Sequence, residues 1–159
     1  FCWVFHIKKT LQHPKSDEKK RIIFQKKVEE YKKEGISLAY IDESGFANDM
    51  PRTHGYAERG SRCFGTHDWN AKGRKNVIAA LSGSSLIGCG IVEGNVDTTV
   101  FNTWIEKILI PDLPKNSVVV IDNTAFHKSQ RTKELIENNG HKIEFLPPYS
   151  PDLNHIENK

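Results

Sequence analysis

Cysteine is scarce in this sequence: Cys2, Cys63 and Cys89 are the only three in 159 residues. They are too few and too scattered for a disulfide framework or a structural zinc site, both of which need paired spacing. Their usage points instead to a reducing, intracellular setting. Long hydrophobic runs are also missing. Stretches such as Val118 to Ile121 fall far short of the roughly 20 apolar residues that cross a bilayer as a helix, so no membrane span is expected. Internal repeats and low-complexity tracts are absent. No Ser, Cys or Lys stands in a persuasive triad or phosphate-loop motif, which argues against covalent catalysis and a nucleotide cradle.

What is present is a soluble globular composition, 37% hydrophobic and 27% charged, in a length that suits one domain. Net charge is only +3, yet residues 1–34 carry ten Lys and Arg against five Asp and Glu, while the remainder is slightly acidic. Basic charge gathered at one end suits contact with a polyanion, because each neutralised phosphate releases condensed counterions. A solvated helix face is the plainer reading of the same pattern. The chain opens on Phe1 with an apolar stretch that lacks a signal peptide's basic start and cleavage site, so a fragment clipped upstream is expected.

Helical spacing of Ile23, Phe24, Val28 and Tyr31 predicts a basic amphipathic helix from Ser16 to Glu34, with Ser16 or Asp17 as N-cap and Gly35 as the stop. Ser37 to Ile41 reads as a buried strand ending in the polar turn Asp42-Glu43-Ser44-Gly45. Residues 46–75 suggest an extended loop with a short strand near Gly55 to Arg59. Asn76 to Ser82 and Ser85 to Glu93 form a predicted hairpin around Gly83. Thr98 or Thr99 is expected to cap a helix with the apolar stripe Val100, Phe101, Trp104, Ile105, Ile108 and Leu109, closed by Pro111. Val118 to Ile121 is β-branched throughout and reads as a central strand buried on both faces. Ser129 to Asn139 is a predicted helix ended by Gly140, and Lys142 to Leu146 one more strand. Pro147, Pro148 and Pro151 make a stiff connector, so a last helix can begin only near Asp152 or Asn154, with Glu157 in its first turn. The expected fold class is α/β, a mixed central sheet flanked by helices.

Two aspartates follow two predicted central strands, at Ile41-Asp42 and Ile121-Asp122, and open α/β sheets place ligands outside such strand ends. Glu157 arrives at the end of the proline connector. Each acid alone is more commonly a structural or capping residue; the set is what points to chemistry. Three carboxylates around one cleft suit a hard cation, and Mg²⁺ takes a few carboxylates plus waters and phosphate oxygens. Two such ions about 3.5–4 Å apart clamp an in-line phosphoryl displacement without any protein nucleophile.

The stretches Tyr40-Ile41-Asp42-Glu43-Ser44-Gly45-Phe46, Ile121-Asp122-Asn123 with Phe126-His127-Lys128-Ser129, and Leu146-Pro147-Pro148-Tyr149-Ser150-Pro151-Asp152-Leu153-Asn154 ahead of Ile156-Glu157-Asn158 closely resemble the signature blocks of Tc/mariner-type DDE transposases. The bacterial insertion-sequence branch is the nearest match, from about Ile36 to the end. The resemblance implies an RNase H-like fold, with residues 36–159 as the DDE catalytic domain. Residues 1–35 then become a basic segment leading from a missing DNA-binding region. It further implies a Mg²⁺- or Mn²⁺-dependent cut at transposon ends and joining of the freed 3′-hydroxyl to target DNA, at a TA dinucleotide. Asp42, Asp122 and Glu157 fall on the family's metal-binding acids, with two ions expected. A homodimer and a bacterial, nucleoid-associated cytoplasmic location go with that activity.

Glu43, Asn123 and His127 adjoin these acids and are candidates to support them. Glu43 is not expected to share a metal with Asp42, because successive strand side chains face opposite ways. His127 is a candidate to orient a water or meet a phosphate, although a His before a helix is more often simply hydrogen-bonded. Arg52, Arg59, Arg62, Lys72, Arg74 and Lys75 stand among Tyr56, Phe64 and Trp69. That mix suits DNA-backbone contact and base stacking, or a loop that is merely soluble. His155 stands where the resembling proteins usually carry proline. The chain stops two residues after Glu157, so the last helix is expected to be truncated. A catalytically inactive remnant that only binds DNA, and a cellular nuclease cutting RNA–DNA hybrids, are the alternative readings.

Overall fold

The computed structural model describes residues 15–47, 55–65, 73–124 and 126–158. Five strands, β1 (Leu38–Ala47), β2 (Arg74–Ser82), β3 (Ser85–Glu93), β4 (Val118–Ile121) and β5 (Lys142–Phe145), form one mixed sheet in the order β3-β2-β1-β4-β5. β1, β2 and β3 run antiparallel as a meander, while β1, β4 and β5 run parallel. The four β-branched residues of β4 are all buried, as expected of a strand covered on both faces.

Alternation along β1 and β4 divides the interior into two layers. Ala39, Ile41, Val119 and Ile121 face a cluster with Phe101, Trp104, Ile105, Leu109 and Ile136. These come from α2 (Thr98–Trp104), a following π-helical stretch (Ile105–Leu109) and α4 (Gln130–Asn138); α3 (Ile110–Asp112) lies between them in the chain. Leu38, Tyr40, Val118 and Val120 face the other way, onto Phe24 and Val28 of α1 (Glu18–Lys33). Leu81 and Leu146 complete that layer, with Leu153 and Ile156 packed at its edge. Among the described residues no helix is long and apolar enough to cross a membrane.

Several local expectations need correction. β1 does not end at Ile41: it continues to Ala47 because β2 pairs with it residue for residue, Asp42 opposite Ala79 and Ala47 opposite Arg74. Residues 55–58 form no strand, and Tyr56 and Phe64 stand exposed without the packing a strand needs. The cap of α2 is Asp97, whose carboxylate accepts from Val100 N–H at 2.8 Å, so neither Thr98 nor Thr99 serves. The helix also widens to π geometry at Ile105–Leu109 and runs through Pro111 to Asp112. This wider stretch precedes a proline whose ring would crowd the carbonyl four residues back in a regular helix. In α1 it is Arg21, not Ile23, that occupies the buried stripe: Arg21 is 5% exposed and Ile23 58%. After the prolines the chain makes two 3-10 turns, Pro151–Leu153 and His155–Asn158, in place of the first turns of a helix. Extended Asn154 separates them.

Trp104 shows how tightly the outer strands close on the helix. Its indole N–H donates to the Gly88 carbonyl at 2.7 Å, and a Cβ built on Gly90 would lie 2.9 Å from its ring. Gly88 itself takes φ +60, where side chains are strained. Trp104→Ala should therefore cost about 3–5 kcal/mol and Gly90→Val about 1–3 kcal/mol in urea unfolding. A Gly90 variant as stable as wild type would contradict this packing.

Candidate active site

Parallel pairing aligns Leu38 with Val118 and Tyr40 with Val120. Two residues further along both chains come Asp42 and Asp122, so the register of the central strands brings the two acids side by side. Asp42 is held within β1 by β2, and its carboxylate accepts from the Glu43 N–H. Asp122 lies one residue past the end of β4. Its Oδ1 accepts from the Thr124 N–H at 3.2 Å and the Thr124 hydroxyl at 2.9 Å, and meets Nδ1 of His127. The His127 ring is buried and stacks on Phe101 at 4.1 Å, which fixes its plane against the core.

Glu157 reaches the same end of the sheet through the proline segment, which is suspended from the backbone beside both aspartates. The Leu146 N–H donates to the Ile121 carbonyl at 2.8 Å, next to Asp122. The buried Asn154 amide donates to the Ile41 carbonyl at 3.1 Å, next to Asp42. Between these ties, Tyr149 adopts a left-handed φ of 55, rare for a bulky side chain. A cleft of about 400 Å³ results, lined by Asp122, Asn123, Thr124, Pro147, Tyr149 and Glu157 among others. Asp42 stands beside this cleft and is not among its lining residues.

The three acids affect each other. Burial pushes the Asp42 carboxyl above the usual range, and the neighbouring Asp122 charge adds to that. Burial likewise raises Glu157, reinforced by Asp42, Asp122 and Asp152. Burial acts upward on Asp122 too, but the His127 and Thr124 contacts outweigh it and leave this carboxyl below its ordinary value. Among the described residues no three His, Cys, Asp or Glu side chains are gathered closely enough to hold an ion as placed. The donors nonetheless fit a hard divalent cation chemically: three carboxylates within electrostatic range of one another, whose mutual repulsion a cation would relieve.

The remaining candidates divide. Glu43 is raised by burial and feels His127, Arg74 and Asp122, so it belongs to the same charge cluster although the next residue along the strand. Asn123 lines the cleft. The Arg74 guanidinium lies over Gly45, and its Nε donates to Asn76 at 3.0 Å. Lys75 is exposed and 3.8 Å from Glu93. Arg59 and Arg62 are exposed in residues 55–65. Arg52 and Lys72, with Trp69, lie outside the described residues. Sequence reasoning missed Thr124, Asn154 and Arg21. Arg21 carried a signal, a charged residue three positions before Phe24 on the apolar stripe.

The mixed sheet thus places acids at one end of its parallel central strands. The DDE superfamily endonuclease family matches residues 37–159, and the chain belongs to that family. No curated protein sequence matches it. Among solved structures it is similar to the Mos1 transposase paired-end complex with left transposon end, at 15% identity and TM-score 0.63, covering 97% of this chain and 49% of that one. It is similar also to the Mos1 mariner paired end complex with Mn, at 15% and 0.62, covering 97% and 50%. The catalytic domain of Mos1 mariner transposase aligns at 14% and 0.59, covering 96% and 69%. The chain thus spans about half the length of the Mos1 transposase in its complexes. The fold is RNase H-like, as the sequence motifs implied.

Opposite pKa directions give opposite stability effects. Asp42 is raised on folding, so its contribution is fully present below the unfolded value of about 3.9 and is lost as pH rises through the folded one. Asp122 is lowered, so its contribution is present above about 3.9 and is lost as pH falls through the folded value. In chelator at pH 7, Asp42→Asn should raise the thermal midpoint and Asp122→Asn should lower it. Shifts of the same sign in thermal unfolding would contradict the assignment.

Proposed function

We propose that this protein is the catalytic core of a DNA transposase, cutting DNA at transposon ends and joining the 3′-hydroxyl to target DNA by metal-dependent phosphoryl transfer. The observation that carries the reading is the parallel register of β1 with β4, which ends two residues before Asp42 and Asp122, with Glu157 within electrostatic range of both acids. The family match and the likeness to the Mos1 complexes support it.

In this reading Asp42, Asp122 and Glu157 hold Mg²⁺ or Mn²⁺, as two ions. Bound there, the ions would supply Lewis acidity toward the attacking oxygen and the leaving oxygen. The protein's own part is placement. Thr124 and His127 fix the rotamer of Asp122, leaving the carboxylate ionised. The cleft beside Asn123 and Tyr149 admits the scissile strand. Arg52, Arg59, Arg62, Arg74 and Lys75 are proposed contacts to the DNA backbone, where positive charge positions without reading sequence. Residues 1–35 lead in from a DNA-binding region, and 36–159 form the catalytic domain. Cutting of paired ends fits a homodimer, and the setting is the bacterial cytoplasm at the nucleoid.

The test is nicking of supercoiled and end-sequence DNA with Mn²⁺. Wild type should nick only with the metal, and Asp122→Ala should fall by at least about 10²-fold, since loss of metal-centred charge stabilisation costs several kcal/mol of barrier. Salt-sensitive DNA binding with no metal-dependent cleavage by wild type would overturn the reading.

A further inference from the structure

Arg21 lies on α1, outside the residues matched by the family. It is 5% exposed, yet it is a permanent cation, and such groups are rarely buried without a partner. Its guanidinium forks onto Asp152: Nη1 to Oδ1 at 2.9 Å and Nη2 to Oδ2 at 2.7 Å. Two parallel charge-assisted bonds fix both distance and plane, which a lysine would not. Asp152 in turn sits in the 3-10 turn Pro151–Leu153, five residues before Glu157.

Besides the packing of Leu153 and Ile156 and the His155 ring against Tyr40, three polar ties fasten the chain between Leu146 and Glu157. Two reach the strands, the Leu146 N–H to the Ile121 carbonyl and the Asn154 side-chain amide to the Ile41 carbonyl; the third is the Arg21 fork. The first two register the segment to the strands that carry the aspartates. The fork adds a charged side-chain tie from outside the sheet, to α1. From there Asn154 accepts the Glu157 N–H at 3.2 Å, so displacement of the Pro151–Leu153 turn passes directly to the third acid.

We infer that Arg21 is a positioning residue for the metal site: its fork with Asp152 sets the place of Glu157, and through it the affinity for the divalent cation. The inference rests on Glu157 being a metal-holding carboxylate, as proposed above. It also makes α1 part of the active-site scaffold and not only a basic surface.

The experiment is calorimetric titration of Mn²⁺ into the full chain as wild type, Arg21→Gln, Glu157→Gln and the double variant, with thermal midpoints recorded for each. Arg21→Gln should weaken Mn²⁺ binding about tenfold, the lower end of what outer groups around metal ligands contribute. In the Glu157→Gln background the same change should have no further effect, because the acid through which Arg21 acts is gone. Asp152→Asn should reproduce Arg21→Gln from the exposed side of the pair. An Arg21→Gln protein that binds Mn²⁺ like wild type would overturn the inference. So would an effect equally large in the Glu157→Gln background, which would mean a general loosening of the fold. Failure of wild type itself to bind Mn²⁺ would remove the metal reading beneath it, an outcome distinct from either.

Discussion

The parallel pairing of β1 with β4 is the constraint on which the rest depends. Its register, running from Leu38 with Val118 to Tyr40 with Val120, points two acids 80 positions apart toward the same end of the sheet. Maintaining it requires both strands to be buried on both faces, which explains Val118 to Ile121 and the two apolar layers on either side. The antiparallel meander then stiffens β1 from its other edge, so that Asp42 stands on a paired strand and not on a loop tip.

Against that rigidity the site stores electrostatic tension. Two of its acids are pushed upward by burial and by neighbouring carboxylates, while His127 and Thr124 hold the third below its ordinary value. Such an arrangement lowers the stability of the fold, the usual cost of an active site. It also creates the condition for cation capture, because a divalent ion removes the repulsion that the fold tolerates. The proline segment answers the same need on the third side. Its ties to Ile121 and Ile41 fix a carboxylate that is distant in sequence and carried on irregular backbone.

Much of this was legible in residues. Periodicity located α1, β4, α4 and the β2–β3 hairpin, since each has a face or run that only one period explains. Pattern failed where a partner strand or a single side chain decided the outcome. Asp42 to Ala47 looks like a polar turn, and pairing with β2 makes it strand. Thr98 and Thr99 are good caps by type, but Asp97 reaches the open N–H first. Proline signalled the stiffness of residues 147–151 correctly, whereas the 3-10 turns after it follow from the buried amide of Asn154.

The sequence by itself determined the chemistry that this protein can offer: three carboxylates and motif blocks that resemble one family. It also determined which stretches would be strand or helix wherever hydrophobic period was strong, because that period acts locally. Tertiary structure alone decided how the acids meet. Strand register, the fork from Arg21 to Asp152 and the hold of His127 on Asp122 are set by geometry across the fold, and local preference carries no information about partners so distant in the chain.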